Sequence, residues 1–254
     1  MRGRPRSCGG KGEQRRNPLL HPWANRLAGP RYRVLRQQVV LDMSSPLLHL
    51  DEHGLPMHGV PWSFLPWVVT EAGRDFIKAR LEWSTSDLLA VFPFRHRVEL
   101  AATLRPDGLT LETTLIADSA GPVPVSFGFH PYLGVPELAR ANWRLELPVM
   151  RKLVLDGRGI PTGDEEPFGG FNAQLDESSF DDGFALMEER TSFSVSVSGS
   201  VAGATCGVSV DLLEGYRYAQ VFAPKDKNYI ALEPMTAPTS ALTTGRGLRL
   251  VGPG

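Results

Sequence analysis

Apolar and polar residues alternate regularly in the middle of the chain. The apolar positions recur at every second residue: Val123, Val125, Phe127 and Phe129. This spacing predicts a β-strand with one buried face. The strand leads into His130, and Pro131 restricts the backbone of that histidine to extended geometry. His130 is therefore a candidate catalytic group at a strand end; the structural alternative is a histidine packed at a strand-to-turn junction.

Short apolar runs of this kind fill most of the chain. The runs predicted as strands are 32–40, 80–83, 88–92, 97–104, 109–117, 123–129, 143–147, 152–155, 192–198, 205–213, 218–222 and 229–232. Arg105-Pro106-Asp107-Gly108 separates two of them and predicts a hairpin turn. No segment has the period of a long amphipathic helix. The pattern predicts an all-β protein, either a β-sandwich or a barrel.

Composition and charge divide the chain into a tail and a body. The 254 residues include 26 Gly and 21 Pro, and the formal charge is -1, so neither nucleic acid nor a membrane is expected as a partner of the body. Residues 1–17 hold six basic residues and one acid, without aromatic or β-branched residues. They are predicted to be a disordered basic tail; the alternative, a nucleic-acid-binding arm, lacks aromatic residues for stacking. Residues 18–254 are predicted to form one domain.

The two cysteines indicate a reducing compartment. Cys8 lies in the tail and Cys206 in a strand-like run, too few and too differently placed for a disulfide framework. No apolar run is long enough to span a membrane, and no hydrophobic segment follows the basic start as in a signal peptide. The protein is predicted to be soluble and cytoplasmic.

A second acid–base candidate has the same sequence context as His130, an apolar run before it and a proline after it. The apolar run 229–232 leads into Glu233, and Pro234 fixes the backbone of that glutamate in turn. One imidazole and one carboxylate, each at the end of a strand and each followed by proline, suit paired proton transfer.

Asn25 and Arg26 form a polar pair in an otherwise apolar loop. Trp23 and Leu27 flank them, which would hold the planar guanidinium in one orientation and suit hydrogen bonding to a polyol. The alternative is a surface arginine over the tryptophan face.

Two further segments carry candidate ligand-binding residues. Gly59 after His58 allows a ligand to approach the backbone closely. His53 lies nearby, but neither histidine has cysteine or carboxylate partners at the spacing of a metal site, so no metal is predicted. Asp181 and Asp182 precede a glycine between phenylalanines, and this segment is predicted to be a surface turn.

Taken in order, these segments resemble the aldose 1-epimerase (mutarotase) family from about residue 20 to residue 242. The resemblance rests on five motifs: Pro22-Trp23-Ala24-Asn25-Arg26-Leu27, Met57-His58-Gly59, Gly128-Phe129-His130-Pro131-Tyr132-Leu133, Phe180-Asp181-Asp182-Gly183-Phe184 and Leu232-Glu233-Pro234-Met235-Thr236-Ala237-Pro238. It implies a large, mostly antiparallel β-sandwich of the galactose mutarotase-like supersandwich type.

The resemblance also implies roles for individual residues. It makes His130 the general acid and Glu233 the general base. It implies that Arg26, with its neighbour Asn25, binds sugar hydroxyls, and that His58 and Asp181 do so as well. Interconversion of anomers needs only proton transfers, so no cofactor is expected. A nearby carboxylate is expected to raise the pKa of the histidine.

The sequence departs from the family pattern in two places. Relatives carry strands before the Trp-Ala-Asn-Arg motif, so either the start is truncated or misassigned, or the sandwich lacks N-terminal edge strands. Many relatives have an arginine after His-Gly, where this chain has Val60-Pro61-Trp62-Ser63.

Three alternatives to a free-aldose mutarotase stay open. They are a hexose-6-phosphate 1-epimerase, which needs an arginine or lysine cluster at the pocket, a non-catalytic sugar-binding protein on the same scaffold, and a glycosidase that uses Glu233 and Asp181. The sequence leaves the oligomeric state and the particular aldose open.

Overall fold

The protein was analysed as a computed structural model that describes residues 19–134, 138–187, 196–201 and 204–253. The predicted tail, residues 1–17, lies outside these ranges, so the division into a tail and one domain of residues 18–254 stays a prediction. Within the described ranges, no helix has the length and apolar character needed to cross a membrane.

Strands make up about half of the described residues and are the main regular element. The first half of the chain contains β1 (Leu19–Leu20), β2 (Arg31–Val34), β3 (Gln37–Val40), β4 (His49–Leu50), β5 (Pro56–Met57), β6 (Val68–Ala72), β7 (Phe76–Trp83), α1 (Ser86–Val91), β8 (His96–Arg105), β9 (Gly108–Ala117), β10 (Val123–Val125) and β11 (Gly128–Phe129). The second half contains β12 (Tyr132–Leu133), β13 (Arg144–Leu147), β14 (Met150–Leu155), β15 (Pro161–Phe168), β16 (Phe171–Gln174), β17 (Phe180–Ala185), β18 (Ser196–Val201), β19 (Ala204–Ser209), β20 (Tyr218–Ala223), β21 (Ile230–Met235), α2 (Ala241–Thr244) and β22 (Arg249–Val251).

The largest sheet of the described structure has eight strands. Its strand order is β1-β11-β21-β20-β17-β14-β15, with β12 also paired to β21. Two four-stranded sheets, β16-β13-β18-β19 and β6-β7-β8-β9, accompany it, together with three two-stranded pairs. These strands pair antiparallel throughout. The predicted all-β, mostly antiparallel fold is confirmed.

Two clusters of buried apolar side chains form the core. In one, Phe184 and Leu232 of the large sheet pack with Trp143 and neighbouring residues of β13. In the other, Trp83 of β7 packs with Phe127 and other residues before His130. Burial of such aromatic side chains is the main favourable term in folding, and it fixes the large sheet against its neighbours.

The outer part of the β6–β9 sheet leaves apolar side chains uncovered. Val98 is fully buried on the face that meets the core. Farther along the same face, Leu111, Leu104 and Leu109 are increasingly exposed. An uncovered apolar face of this kind is an aggregation liability.

Some local predictions are confirmed and others are wrong. Arg105 pairs with Gly108 across the predicted hairpin turn. The predicted strand 88–92 is instead helix α1, which buries Leu88 and Val91. Thr85 is its N-cap, and the Thr85 side chain accepts a hydrogen bond from the Leu88 N–H. A short apolar run does not distinguish a strand from a buried helix, and the capping threonine was the signal that favoured the helix.

The predicted strand 32–40 is a hairpin of β2 and β3. The turn passes through Leu35, which has φ 55. Leucine rarely adopts this left-handed conformation, and no glycine or proline lies in residues 32–40. The sequence therefore gave no sign of the turn.

A buried histidine pair lies in the core beside the large sheet. The Nε2 atoms of His21 and His96 are 2.8 Å apart, and the carbonyl of Phe94 lies 2.6 Å from Nδ1 of His96. Burial lowers the pKa of His96 to about 4 and holds the pKa of His21 well below its usual range, where the charge of His96 lowers it further. The pair is therefore neutral at neutral pH.

We expect this pair to make the fold sensitive to acid. The unfolded histidines titrate near 6.5, above the folded value, so their contribution to stability is complete above about pH 6.5 and is lost as the pH falls towards 4. His96→Gln should reduce the slope of unfolding free energy against pH in this window by up to about 1.4 kcal/mol per pH unit. Urea denaturation at a series of pH values measures the slope.

Gln38→Ala is the control, because Gln38 is exposed on β3 and carries no titratable group, so its replacement should leave the slope unchanged. An unchanged slope in His96→Gln would show that the pair does not govern acid sensitivity.

Candidate active site

Strand pairing brings His130 and Glu233 together. Gly128 pairs with Met235 and Tyr132 with Ala231 in the same antiparallel register. Continuation of that register between the two pairs places His130 directly opposite Glu233. The His130 Nε2 atom lies 3.2 Å from Oε1 of Glu233. The two residues that are each followed by a proline in the sequence thus face each other across one strand pair.

Burial dominates the electrostatics of this pair. The side chains of His130 and Glu233 are only 10% and 3% exposed. Burial lowers the pKa of His130 to about 4. It raises the pKa of Glu233 well above its usual range, and the charge of Asp181 raises it further while Arg26 opposes the shift. The expectation that a nearby carboxylate would raise the histidine pKa is therefore wrong, because desolvation outweighs that attraction.

The geometry of the pair allows one proton to pass between His130 Nε2 and Glu233 Oε1, which are 3.2 Å apart. Both shifts favour the uncharged forms of the two side chains. Within the described part of the chain, the Glu233 Oε2 atom is buried without a hydrogen-bond partner. A buried acceptor without a partner is costly, so this oxygen favours the entry of a hydroxyl donor.

Glu233 shares its face of the large sheet with polar groups from the next two strands. On β21, Leu232 points into the core and Glu233 points to the opposite face, as alternation requires. Gln220 of β20 pairs with both Glu233 and Gly183. Asp181 lies two residues before Gly183 and therefore on the same face.

The prediction of a turn at Phe180-Asp181-Asp182-Gly183-Phe184 is wrong, because the segment is strand β17. Phe180 and Phe184 pack into the core. Asp182 points away from Asp181 and pairs with Lys152 at 2.7 Å. The Asp-Gly sequence suggested a turn from local chemistry alone, whereas pairing on both sides with β14 and β20 determines the structure.

Gln220 is a site residue that the sequence reasoning missed. Its Nε2 atom donates to Oδ1 of Asp181 at 2.8 Å, and its side chain is buried. A Cβ atom on Gly183 would lie 3.2 Å from the Gln220 Oε1 atom, so glycine leaves room for this amide. The signal was one glutamine among buried apolar residues in the predicted strand 218–222.

Asn25 and His58 enter the site from two chain segments that run side by side. The His58 N–H donates to the Asn25 carbonyl at 2.8 Å, and Arg26 pairs with Met57. Asn25 has φ 54 and His58 has φ 65. Left-handed backbone at residues other than glycine is uncommon and often occurs at functional sites.

Arg26 is held by hydrogen bonds rather than by a tryptophan face. Its Nε atom donates to Oδ2 of Asp51 at 2.6 Å, and its Nη1 atom donates to the Asn25 side chain at 3.2 Å. The Nη2 atom lies 3.6 Å from Oε1 of Glu52. The side chain is only 11% exposed, and these polar partners, rather than the flanking apolar residues that the sequence suggested, orient the guanidinium.

His58 packs edge-on against His130, with ring centroids 5.2 Å apart. Burial holds the pKa of His58 well below its usual range, and the charges of His130, His49 and Arg26 lower it further. At Gly59, with φ 67, an added Cβ atom would meet the His21 carbonyl. The glycine in His-Gly therefore serves close backbone packing rather than ligand approach.

The structure brings together all six residues singled out from the sequence. His130, Glu233 and His58 form one group, and Asn25 supports Arg26 beside it. Arg26 and Asp181 line a common pocket of about 160 Å³. His53 lies at its rim, and among the described residues no three His, Cys, Asp or Glu side chains are arranged to hold a metal ion.

The segment that follows His58-Gly59 packs through apolar side chains. Val60 is fully buried, and the rings of Trp62 and Trp67 stack 5.0 Å apart. The arrangement as a whole places a buried pair of proton-transfer groups beside side chains that can hydrogen-bond to hydroxyls, which is suited to proton transfer on a polyhydroxyl compound.

Comparison with known proteins gives a family and a fold. A family model described as Aldose 1-epimerase matches residues 11–241. Among curated proteins, no sequence matches this chain.

Several solved structures share the fold. A galactose mutarotase-like protein from Clostridium acetobutylicum has a TM-score of 0.73 at 18% identity, covering 93% of this chain and 75% of that one. An aldose epimerase homologue from C. elegans has a TM-score of 0.69 at 14% identity, covering 89% and 74%. Galactose 1-epimerase from Lactobacillus acidophilus has a TM-score of 0.62 at 12% identity, covering 96% and 82%. At these identities the similarity establishes the galactose mutarotase-like β-sandwich fold.

We expect Glu233→Gln to stabilise the protein at neutral pH. Because the folded pKa of Glu233 lies above its unfolded value, the carboxyl costs stability as the pH rises above about 4.5. The amide has no charge to bury, so the gain should be about 1–3 kcal/mol near pH 7 and should shrink near pH 4. Denaturation of both proteins at the two pH values measures it.

Glu99→Gln is the control, since Glu99 pairs with Arg97 and is exposed; it should stay within about 0.5 kcal/mol of the parent protein. A loss of stability in Glu233→Gln at neutral pH would mean that burial of the carboxyl carries no net cost.

Proposed function

The chain belongs to the aldose 1-epimerase family, and from this premise we propose that it interconverts the α and β anomers of a free aldose. Family and fold together support a mutarotase-like carbohydrate epimerase. The observation that carries the finer proposal is the buried contact of 3.2 Å between His130 Nε2 and Glu233 Oε1.

The proposed reaction has two proton transfers. One group removes the proton from the hydroxyl on the anomeric carbon while another protonates the ring oxygen, and the ring opens to the aldehyde. Rotation about the bond to the aldehyde carbon and closure on the other face complete the inversion. Because only protons move, the side chains of the chain suffice and no cofactor enters the scheme.

In this proposal Glu233 is the general base and His130 is the general acid. The sugar hydroxyl hydrogen-bonds to Glu233 and favours its ionised form, which counters the effect of burial. The proton that the pair holds in the empty site then moves to His130, which delivers it to the ring oxygen. Closure of the ring reverses both transfers, so the pair returns to its starting protonation state after each turnover.

Residues outside the catalytic pair would bind the sugar hydroxyls. Arg26, positioned by Asn25, donates hydrogen bonds, and Asp181 accepts them. His58 adds a neutral ring next to His130. We add Gln220 to the set, because its amide contacts Asp181 and lies beside Glu233.

We expect His130→Ala and Glu233→Gln each to lower kcat for anomer interconversion by about a hundredfold to ten-thousandfold, the usual contribution of a positioned acid or base. The measurement is polarimetry on freshly dissolved α-glucose and α-galactose, with circular dichroism to show that each variant folds.

Glu99→Gln is the matched control and should keep the parent rate. Full activity in either site variant would overturn the assignment. Folded parent protein that binds sugar without accelerating the reaction would support the non-catalytic alternative, and acceleration of hexose 6-phosphate alone would support the phosphate epimerase.

A further inference from the structure

The pocket beside the catalytic pair extends past the residues that the proposed mechanism uses. It is lined on one side by Arg26 and Asp181, which belong to the candidate active site. Its other walls come from Glu52 and from Arg158, neither of which any of the family motifs includes. The volume of about 160 Å³ leaves space for a further part of a bound molecule.

Two turns of the same construction carry these walls. The Oδ1 atom of Asp51 accepts the backbone N–H groups of His53 and Leu55 at 2.9 and 2.8 Å. The Oδ1 atom of Asp156 accepts those of Arg158 and Ile160 at 2.8 and 3.0 Å. Aspartate-capped turns of this kind hold the backbone firmly, so Glu52 and Arg158 project from fixed positions.

Arg26 connects the two turns. It donates to Asp51 in the first turn. In the second turn Gly159, with φ 75, lies so close that a Cβ atom would be 3.2 Å from the Arg26 Nη1 atom. The second turn therefore packs against the guanidinium of a proposed sugar-binding residue, and Arg158 reaches the pocket from there.

The charges around this pocket favour a neutral ligand. The Arg158 guanidinium lies 3.3 Å from Asp156, and Arg26 contacts both Asp51 and Glu52. The pocket lining itself carries two guanidinium groups, Arg26 and Arg158, and two carboxylates, Glu52 and Asp181. Because each guanidinium is already paired with a carboxylate, a phosphate would have to compete for both, whereas hydroxyls can donate to a carboxylate and accept from a guanidinium at the same time.

The pocket lies on the Asp181 side of the catalytic pair, since its lining includes Asp181 but neither His130 nor Glu233. Glu233 lies on β21, and the turn that carries Arg158 follows β14, the third strand away in the sheet. Three strand spacings amount to about 14 Å, which is more than the length of one aldose, so contact of one sugar with both residues uses the reach of the Glu233 and Arg158 side chains and leaves Arg158 to the atoms remote from the anomeric carbon.

We propose that Glu52 and Arg158 are specificity-determining residues that contact the part of the sugar farthest from the anomeric carbon and select neutral, hydroxyl-bearing groups there. The proposal rests on the proposed function, since it assumes that an aldose lies in the site. Glu52 and Arg158 would affect substrate binding, whereas His130 and Glu233 carry out proton transfer.

The test compares Arg158→Gln with Arg151→Gln. Arg151 lies on the same hairpin and pairs with Glu165 in an exposed position outside the pocket. In polarimetry with glucose and galactose, Arg158→Gln should raise KM about tenfold, the effect of one lost charged hydrogen bond, with kcat within about twofold of the parent value. Arg151→Gln should change neither constant.

Glu52→Gln tests selection by charge. It removes a carboxylate from the pocket, so the ratio of kcat/KM for glucose 6-phosphate to that for glucose should rise about tenfold relative to the parent protein. Glu99→Gln is the control and should leave the ratio unchanged.

The outcomes separate this proposal from the proposed function. An active parent protein with unchanged KM in Arg158→Gln, or an unchanged ratio in Glu52→Gln, overturns the specificity proposal alone. If the parent protein binds glucose in calorimetry without accelerating the interconversion of its anomers, the proposed activity fails. In that case, weaker glucose binding by Arg158→Gln still supports the contact with Arg158. Equal binding by the variant and the parent protein overturns it. A parent protein that neither binds nor converts the sugars overturns both.

Discussion

The arrangement of the site depends on one constraint, the burial of an imidazole and a carboxyl opposite each other across a strand pair. The register that joins β11 and β12 to β21 sets His130 against Glu233. Burial then drives both side chains towards their neutral forms. A pair that resists charge yet shares one proton is able to exchange it with a bound hydroxyl, and the surrounding sheet maintains the geometry at no further cost during the reaction.

The rest of the large sheet supports this pair by alternation. Leu232, Val221 and Phe184 point to one face and form a core with β13. The same alternation directs Glu233, Gln220 and Asp181 to the other face. Packing energy on one side of the sheet therefore fixes polar groups on the opposite side, which explains how a site with several buried polar atoms persists in a stable fold.

The sequence predicted the all-β fold, and local patterns drew attention to His130 and Glu233, while the roles of Asn25, Arg26, His58 and Asp181 came from the family resemblance. The apolar run before Glu233 is a strand as predicted, but the strand continues to Met235, and the predicted strand 123–129 is divided into β10 and β11 of two different sheets. Properties that depend on distant neighbours were missed. Asp181 was placed in a turn because Asp-Gly is a local turn signal, while pairing with β14 and β20 makes it part of a strand. Arg158 carried no local signal, since only the packing of Gly159 against Arg26 brings it to the pocket.

The most direct test of the central claim is NMR exchange spectroscopy on equilibrated glucose and galactose, which observes the two anomeric protons interconverting while no net reaction occurs. With parent protein, the account predicts exchange cross-peaks between the α and β signals on a timescale where the sugar alone shows none, and their disappearance with folded Glu233→Gln. Cross-peaks of equal intensity with that variant, or none with folded parent protein, would contradict the claim that His130 and Glu233 open the sugar ring.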